Sequence, residues 1–244
     1  MCFSISFNID PNKYLNRYQY LLEEDTTKLN YKFESFYFLS AFDFPVLPII
    51  TKKTIILASW GLIPSWLKDN SNIKNFRTKT LNARFETLKI KPSFKHLINS
   101  KRGLLGVTGF FEWRNFNNKK YPYFIKHKYN ELFSIGVLYD YNENSENTNP
   151  NTKYSFSLIT VNASKLLEKI HNTKKRMPLL IKQEMEKFWL NTNFNINQIN
   201  LNDILIPDSE LEYYTVSNIV NYPNKNRNNS LAIQKHFYPE LPPL

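Results

Sequence analysis

The chain has 244 residues, 32 basic side chains against 21 acidic ones, and a formal net charge of +11. Hydrophobic residues make up 42% and aromatic residues 16%, enough for one large core, while a single cysteine excludes an internal disulfide framework and fits a reducing compartment. Apolar runs such as "AFDFPVLPII" are broken before membrane-spanning length, and residues 1–20 lack the pattern of a secretory signal; a cytoplasmic protein with no membrane partner is expected.

The charge excess favours a polyanion through counterion release and steering, although a basic protein with no nucleic-acid role would show the same balance. The N-terminus raises a more specific question. In "MCFSISF", Phe3, Ile5 and Phe7 alternate with Cys2, Ser4 and Ser6, the two-residue repeat of a half-buried strand. That period predicts an apolar face in the core and a polar face, led by Cys2, towards a cleft. If Met1 is removed, Cys2 carries both an α-amine and a thiol. With a pKa near 7.8 about a seventh of such an amine is neutral at pH 7, against about 0.04% for a lysine. The amine can attack an aldehyde to form a Schiff base, and the thiol can close onto the imine carbon as a thiazolidine. A lone Cys is also often a small buried hydrophobe.

Further strands are predicted at 35–40, 54–59, 104–113, 122–127, 132–138, 154–161 and 212–217. Helices are predicted at 12–24, in pieces over 83–100, at 163–170 and at 182–190. The mixture predicts an α+β fold: a single domain over residues 1–244 with a mostly antiparallel, barrel-like β core and peripheral helices. Residues 140–153 read as an exposed loop and the tail from about 222 as irregular. Of only five glycines, three fall in "RGLLGVTGFFEW", which suggests either open space near Glu112 or close packing.

Several side chains could carry chemistry. In "TGFFEWR" the period puts Phe111 and Trp113 on one side of a strand and Phe110 and Glu112 on the other. A carboxylate among aromatics is either salt-bridged or held with a raised pKa for proton transfer. "KIHNTKKRMP" offers His171 and Arg176, and "TLNARFETL" offers Asn82 and Arg84, with surface pairing or helix capping as the plainer readings. In "SWGLIPSW", Trp66 is either buried or a loop-tip platform for an unpaired base. No metal-ligand spacing, phosphate-binding glycine loop or serine nucleophile elbow appears, so no cofactor is expected.

Taken in order, Cys2, "WGLIPSW", "NARFET", "GFFEW", "SFSLITVNA", "IHNTKKRMP" and "TVSNIVN" resemble the SRAP (SOS response-associated peptidase) family from Cys2 to about Asn221. The resemblance implies a sensor of abasic sites in single-stranded DNA that crosslinks through its N-terminal Cys, acting as a monomer. By position it implies Cys2 as the crosslinking residue, Asn82 as a group placing it, Glu112 as a proton shuttle and His171 as an aid to sugar opening and reversal. Arg84 and Arg176 would contact phosphates and Trp66 would support the distorted strand. A strand-cleaving lyase activity and removal of its own leader residue are implied as associated activities. The chain departs from the family pattern at Phe3 and Ser4 in place of Gly-Arg, at Phe111 in place of Tyr, and in the wider spacing of His171 and Arg176. Two alternatives stand beside this reading: a cysteine peptidase using Cys2, His171 and Glu112, and a basic single-strand binder using Trp66 and arginines.

Overall fold

The computed structural model describes residues 2–24, 33–68, 72–143, 152–193 and 199–244. Its strands in chain order are β1 (Ser4–Phe7), β2 (Phe36–Ser40), β3 (Val46–Ile50), β4 (Ile55–Trp60), β5 (Asn82–Arg84), β6 (Arg102–Val107), β7 (Gly109–Phe116), β8 (Lys119–His127), β9 (Phe133–Tyr141), β10 (Tyr154–Asn162), β11 (Arg176–Pro178), β12 (Leu180–Ile181) and β13 (Leu211–Thr215). Short helices are peripheral: α1 (Pro11–Tyr18), α2 (Ile73–Lys79), α3 (Lys165–Ile170), α4 (Glu186–Leu190) and α5 (Leu201–Ile204). The α+β class and the predominantly antiparallel pairing are as expected.

Pairings β10–β4, β4–β3, β3–β6, β6–β9 and β9–β10 return to their starting strand, which closes a five-stranded barrel. Closure needs one parallel step, Ser155 beside Ser59. Both faces of β6 are buried, consistent with its continuous apolar run. The second sheet is open and antiparallel, in the order β13-β8-β7-β1-β2. The chain passes between the two sheets at Thr108, whose hydroxyl hydrogen-bonds Ser6 Oγ at 2.9 Å and accepts from the Asn8 amide at 3.2 Å. The single predicted strand over 104–113 is therefore two strands, one in each sheet.

Helix ends follow local chemistry. Asp10 caps α1 by accepting from the amides of Asn12 and Lys13, with Pro11 in the first turn. A 3₁₀ turn then ends the helical segment at Leu21, short of 24. Residues 88–100 make turns around Pro92 and no continuous helix, because proline cannot supply a donor; at the start of that segment Asn82–Arg84 is a strand. Strand β3 adds to the predicted strands and accommodates Pro48 within it. Asp140 and Asn142, expected in an exposed loop, are buried, and residues 144–151 of that loop lie outside the described residues. The tail carries a 3₁₀ turn at Ser230–Ile233 and is packed: Tyr238 donates to the Val216 carbonyl at 2.8 Å and Arg114 to that of Pro242 at 2.5 Å.

The clustered glycines serve packing. A Cβ on Gly109 would sit 2.2 Å from Phe124 Cζ and 2.9 Å from the Ile125 carbonyl oxygen, and one on Gly106 would sit 2.5 Å from the Tyr18 ring. Gly109→Ala is therefore expected to destabilise the fold by about 1–3 kcal/mol. Urea unfolding should show a lower midpoint at unchanged slope; an unshifted midpoint would mean that the Phe124 ring moves aside at no cost.

Candidate functional site

Strand β1 starts at Ser4, so the two-residue alternation does not extend back to Cys2. Cys2 is fully buried in the same core cluster as Ile5 and Phe7, which corrects the expectation that it faces an open cleft. Phe3 and Ser4 take that place and line the cleft. The Phe3 carbonyl accepts from the Ala41 amide at 2.8 Å, which fixes the chain at this point. The Cys2 Sγ donates weakly to the Ser4 carbonyl at 3.7 Å.

The neighbouring strand β7 keeps its predicted alternation. Phe110 lies in the core cluster with Cys2, while Phe111 and Trp113 belong to a second cluster with Phe38, Val220 and Ala232. Glu112 follows Phe110 to the Cys2 side. It is 3% exposed, and its Oε1 has no hydrogen-bond partner among the described residues. Burial raises its pKa to about 7, placing its proton exchange near neutrality. Burial, and next the nearby Glu112 carboxylate, hold the Cys2 thiol well above its usual range, so the resting sulfur is protonated.

His171 follows α3, with its Nδ1 2.8 Å from the Arg176 carbonyl and 3.5 Å from Glu112 Oε2. A carbonyl only accepts, so Nδ1 carries the proton and the ring lone pair lies on Nε2. Burial pushes the ring pKa down to about 4, and the imidazole is neutral at pH 7. Cys2 and His171 thus both lie within reach of the Glu112 carboxyl. The bonding differs from a thiolate–imidazolium pair: the sulfur is turned to the Ser4 carbonyl and stays protonated, which weakens the cysteine peptidase reading.

Asn82 and Arg84 on β5 and Arg176 on β11 all pair with β10. In the register Asn82 is opposite Leu158, Arg84 opposite Thr160 and Arg176 opposite Asn162. Both amide atoms of Asn82 are buried and have no hydrogen-bond partner among the described residues, a costly state for an amide and one that a bound polar group would relieve. Arg84 is exposed. Arg176 corrects the expectation of a solvent-facing phosphate contact: it is 8% exposed, forks onto Glu86 at 2.8 and 2.9 Å, and also bonds Asn162 Oδ1 and the Thr160 carbonyl. Its part is to hold β5, β10 and β11 together, with its own carbonyl orienting His171.

The tryptophan pair divides cleanly. Trp60 is buried in the core, while Trp66 is 51% exposed and meets Phe76 edge-on at 6.2 Å. Its loop is held rigidly: Asp140 accepts from the Ser65 amide at 2.8 Å, and Asn142 donates to the carbonyls of Pro64 and Leu67 at 2.6 and 3.0 Å. A fixed, exposed indole is a stacking platform.

Beside Glu112 and His171 opens a cleft of about 530 Å³, also lined by Phe42, Trp113, Lys120, Lys174, Asn221 and Arg227. The sequence reading missed these cationic contributors. The one signal for them was Asn221 within "TVSNIVN", which accepts a 2.5 Å hydrogen bond from Trp113 Nε1. No cluster of metal-ligating side chains occurs among the described residues.

A family model described as SOS response associated peptidase (SRAP) matches residues 1–223. The chain is 39% identical over 170 residues to the abasic site processing protein YoqW of Bacillus subtilis, covering 68% of this chain and 71% of that one. It is 28% identical over 202 residues to the abasic site processing protein HMCES of Xenopus tropicalis, covering 74% and 56% respectively. A crystal structure of a protein from Bacteroides thetaiotaomicron matches with a TM-score of 0.83 at 30% identity, covering 97% of this chain and 100% of that one.

Proposed function

The chain belongs to the SOS response associated peptidase (SRAP) family, and from that premise we propose that it senses abasic sites in single-stranded DNA and traps them covalently through Cys2 once Met1 is removed. The observation that carries this reading is the pairing of Cys2 with a buried carboxylate, Glu112, that exchanges its proton near pH 7. The relatives named for abasic site processing supply the substrate class.

The ring-opened abasic sugar presents an aldehyde at C1′. The neutral α-amine of Cys2 adds to that carbon, and loss of water leaves an imine. The sulfur then bonds to the same carbon while its proton leaves through Glu112 and the nitrogen regains one. Aldehyde and aminothiol thus become a thiazolidine and one water, with no change of oxidation state. Glu112 suits both stages, because a carboxyl titrating near neutrality both donates to departing hydroxide and accepts from the thiol. Neutral His171, steadied by the Arg176 carbonyl, serves as a base for sugar opening and for the return path. Asn82, with its unpaired amide, holds the opened sugar or the Cys2 terminus, Arg84 meets phosphate, and Trp66 stacks on an unpaired base.

The imine also acidifies the sugar's C2′ proton. Loss of that proton with departure of the 3′-phosphate breaks the strand, so lyase activity competes with ring closure. The test is direct: incubation with abasic single-stranded DNA is expected to give a conjugate that survives heating on a denaturing gel, with an intact mass lacking Met1. An intact strand should give none. A protein that retains Met1 and still conjugates would refute the role of the Cys2 amine.

A further inference from the structure

We infer that Arg227 is a phosphate-binding residue of this site, brought to the cleft by the C-terminal segment. This rests on reading the cleft as the seat of the damaged strand. Residue 227 lies beyond the 1–223 span of the family match, so nothing in that match assigns it a part.

The position of Arg227 is built. The Tyr37 amide of edge strand β2 donates to Asn228 Oδ1 at 2.8 Å. Asn228 in turn donates its own amide to Asn226 Oδ1 at 3.0 Å, and the fully buried Ala232 anchors the far side of the segment against the Phe38 cluster. Between these anchors the Arg227 guanidinium lies over the Phe38 ring, 4.7 Å from its centroid. It lines the same cleft as Ser4, Glu112 and His171. Stacking on an aromatic face holds a guanidinium flat while leaving its N–H edges for a planar, bidentate oxyanion.

The charge around it suits a phosphate. Lys120 and Lys174 also line the cleft, and its one acidic lining residue, Glu112, keeps its proton up to about pH 7 because of burial. The carboxylate facing Arg227 is Asp43, with Oδ2 at 3.7 Å, too long for a bidentate pair, and 66% exposed. Such a solvated contact is weak and readily exchanged for a phosphate. Ser4, on the same wall, brings no charge, and Arg227 supplies a cation beside Phe38 there.

The experiment measures non-covalent binding of undamaged single-stranded DNA against salt, together with conjugation of abasic DNA. Arg227→Ala is expected to weaken binding about tenfold at low salt and to make the slope of log K against log salt shallower by about 0.7. Arg227→Lys should restore the slope, and Asp43→Ala should tighten binding. A purely structural role would lower the melting temperature of Arg227→Ala while leaving the salt slope unchanged, and that result would overturn the inference. Conjugation by the wild type is read separately: its absence would sink the covalent chemistry, and the salt slope would still decide Arg227.

Discussion

Cys2→Ala is expected to give no heat-stable conjugate with abasic single-stranded DNA, while borohydride still traps it on the strand. The variant keeps an α-amine at position 2 and so still forms the imine, but it has no sulfur to close the ring. Reduction of the imine C=N bond makes that first stage visible. With ring closure gone, the competing loss of the C2′ proton has more time, and strand scission should rise above the wild-type level. An undiminished heat-stable yield would remove Cys2 from the chemistry. Loss of both heat-stable and borohydride-trapped products would show that the sulfur acts before the imine forms. The burial of Cys2 sharpens the expectation, because a thiol held protonated reacts only if something takes its proton.

Glu112→Gln removes that acceptor at nearly constant shape, and conjugation is expected to slow by about 10²–10⁴-fold. The wild-type rate should show a limb with an apparent pKa of about 7, the value to which burial raises this carboxyl, and the limb should vanish in the variant. Stability moves the other way. The folded protein keeps the Glu112 proton up to about pH 7, whereas the unfolded chain releases it near 4.5. The contribution is therefore complete below 4.5 and is lost as pH rises through 7, at a cost of about 3 kcal/mol above it. Denaturation at pH 8 should find Glu112→Gln more stable than the wild type, with the advantage fading towards pH 5. A variant that is both slower and less stable at pH 8 would mean that Glu112 supports the fold and not the chemistry.

Much of this was legible in the sequence, for identifiable reasons. The alternation in "GFFEW" assigned Phe110 and Glu112 to one side and Phe111 and Trp113 to the other, since β7 is regular and pairs with β8 from Phe110 to Phe116. The same rule misplaced Cys2, because the residue lies outside β1, which begins at Ser4, and strand alternation does not govern it. The phosphate contact expected of Arg176 came from its position in the family pattern; its partner Glu86 is remote in sequence, and only the β5–β10–β11 ladder brings the two together. The glycines left open space and close packing as alternatives, and the choice is made by Phe124 and Tyr18 from other elements. Arg227 was invisible for a similar reason, as nothing local in "NYPNKNRNNS" indicates that Phe38 waits beneath it.

The parallel step that completes the barrel joins segments distant in sequence. Strands β3 and β4 are a local hairpin, yet the other neighbour of β4, Tyr154–Asn162, lies far downstream. During synthesis on the ribosome its apolar edge must wait, exposed, for a distant part of the chain. Refolding should accordingly be slow for a protein of this size and prone to intermolecular strand capture at high concentration, so dilution and low temperature during expression should raise the soluble yield.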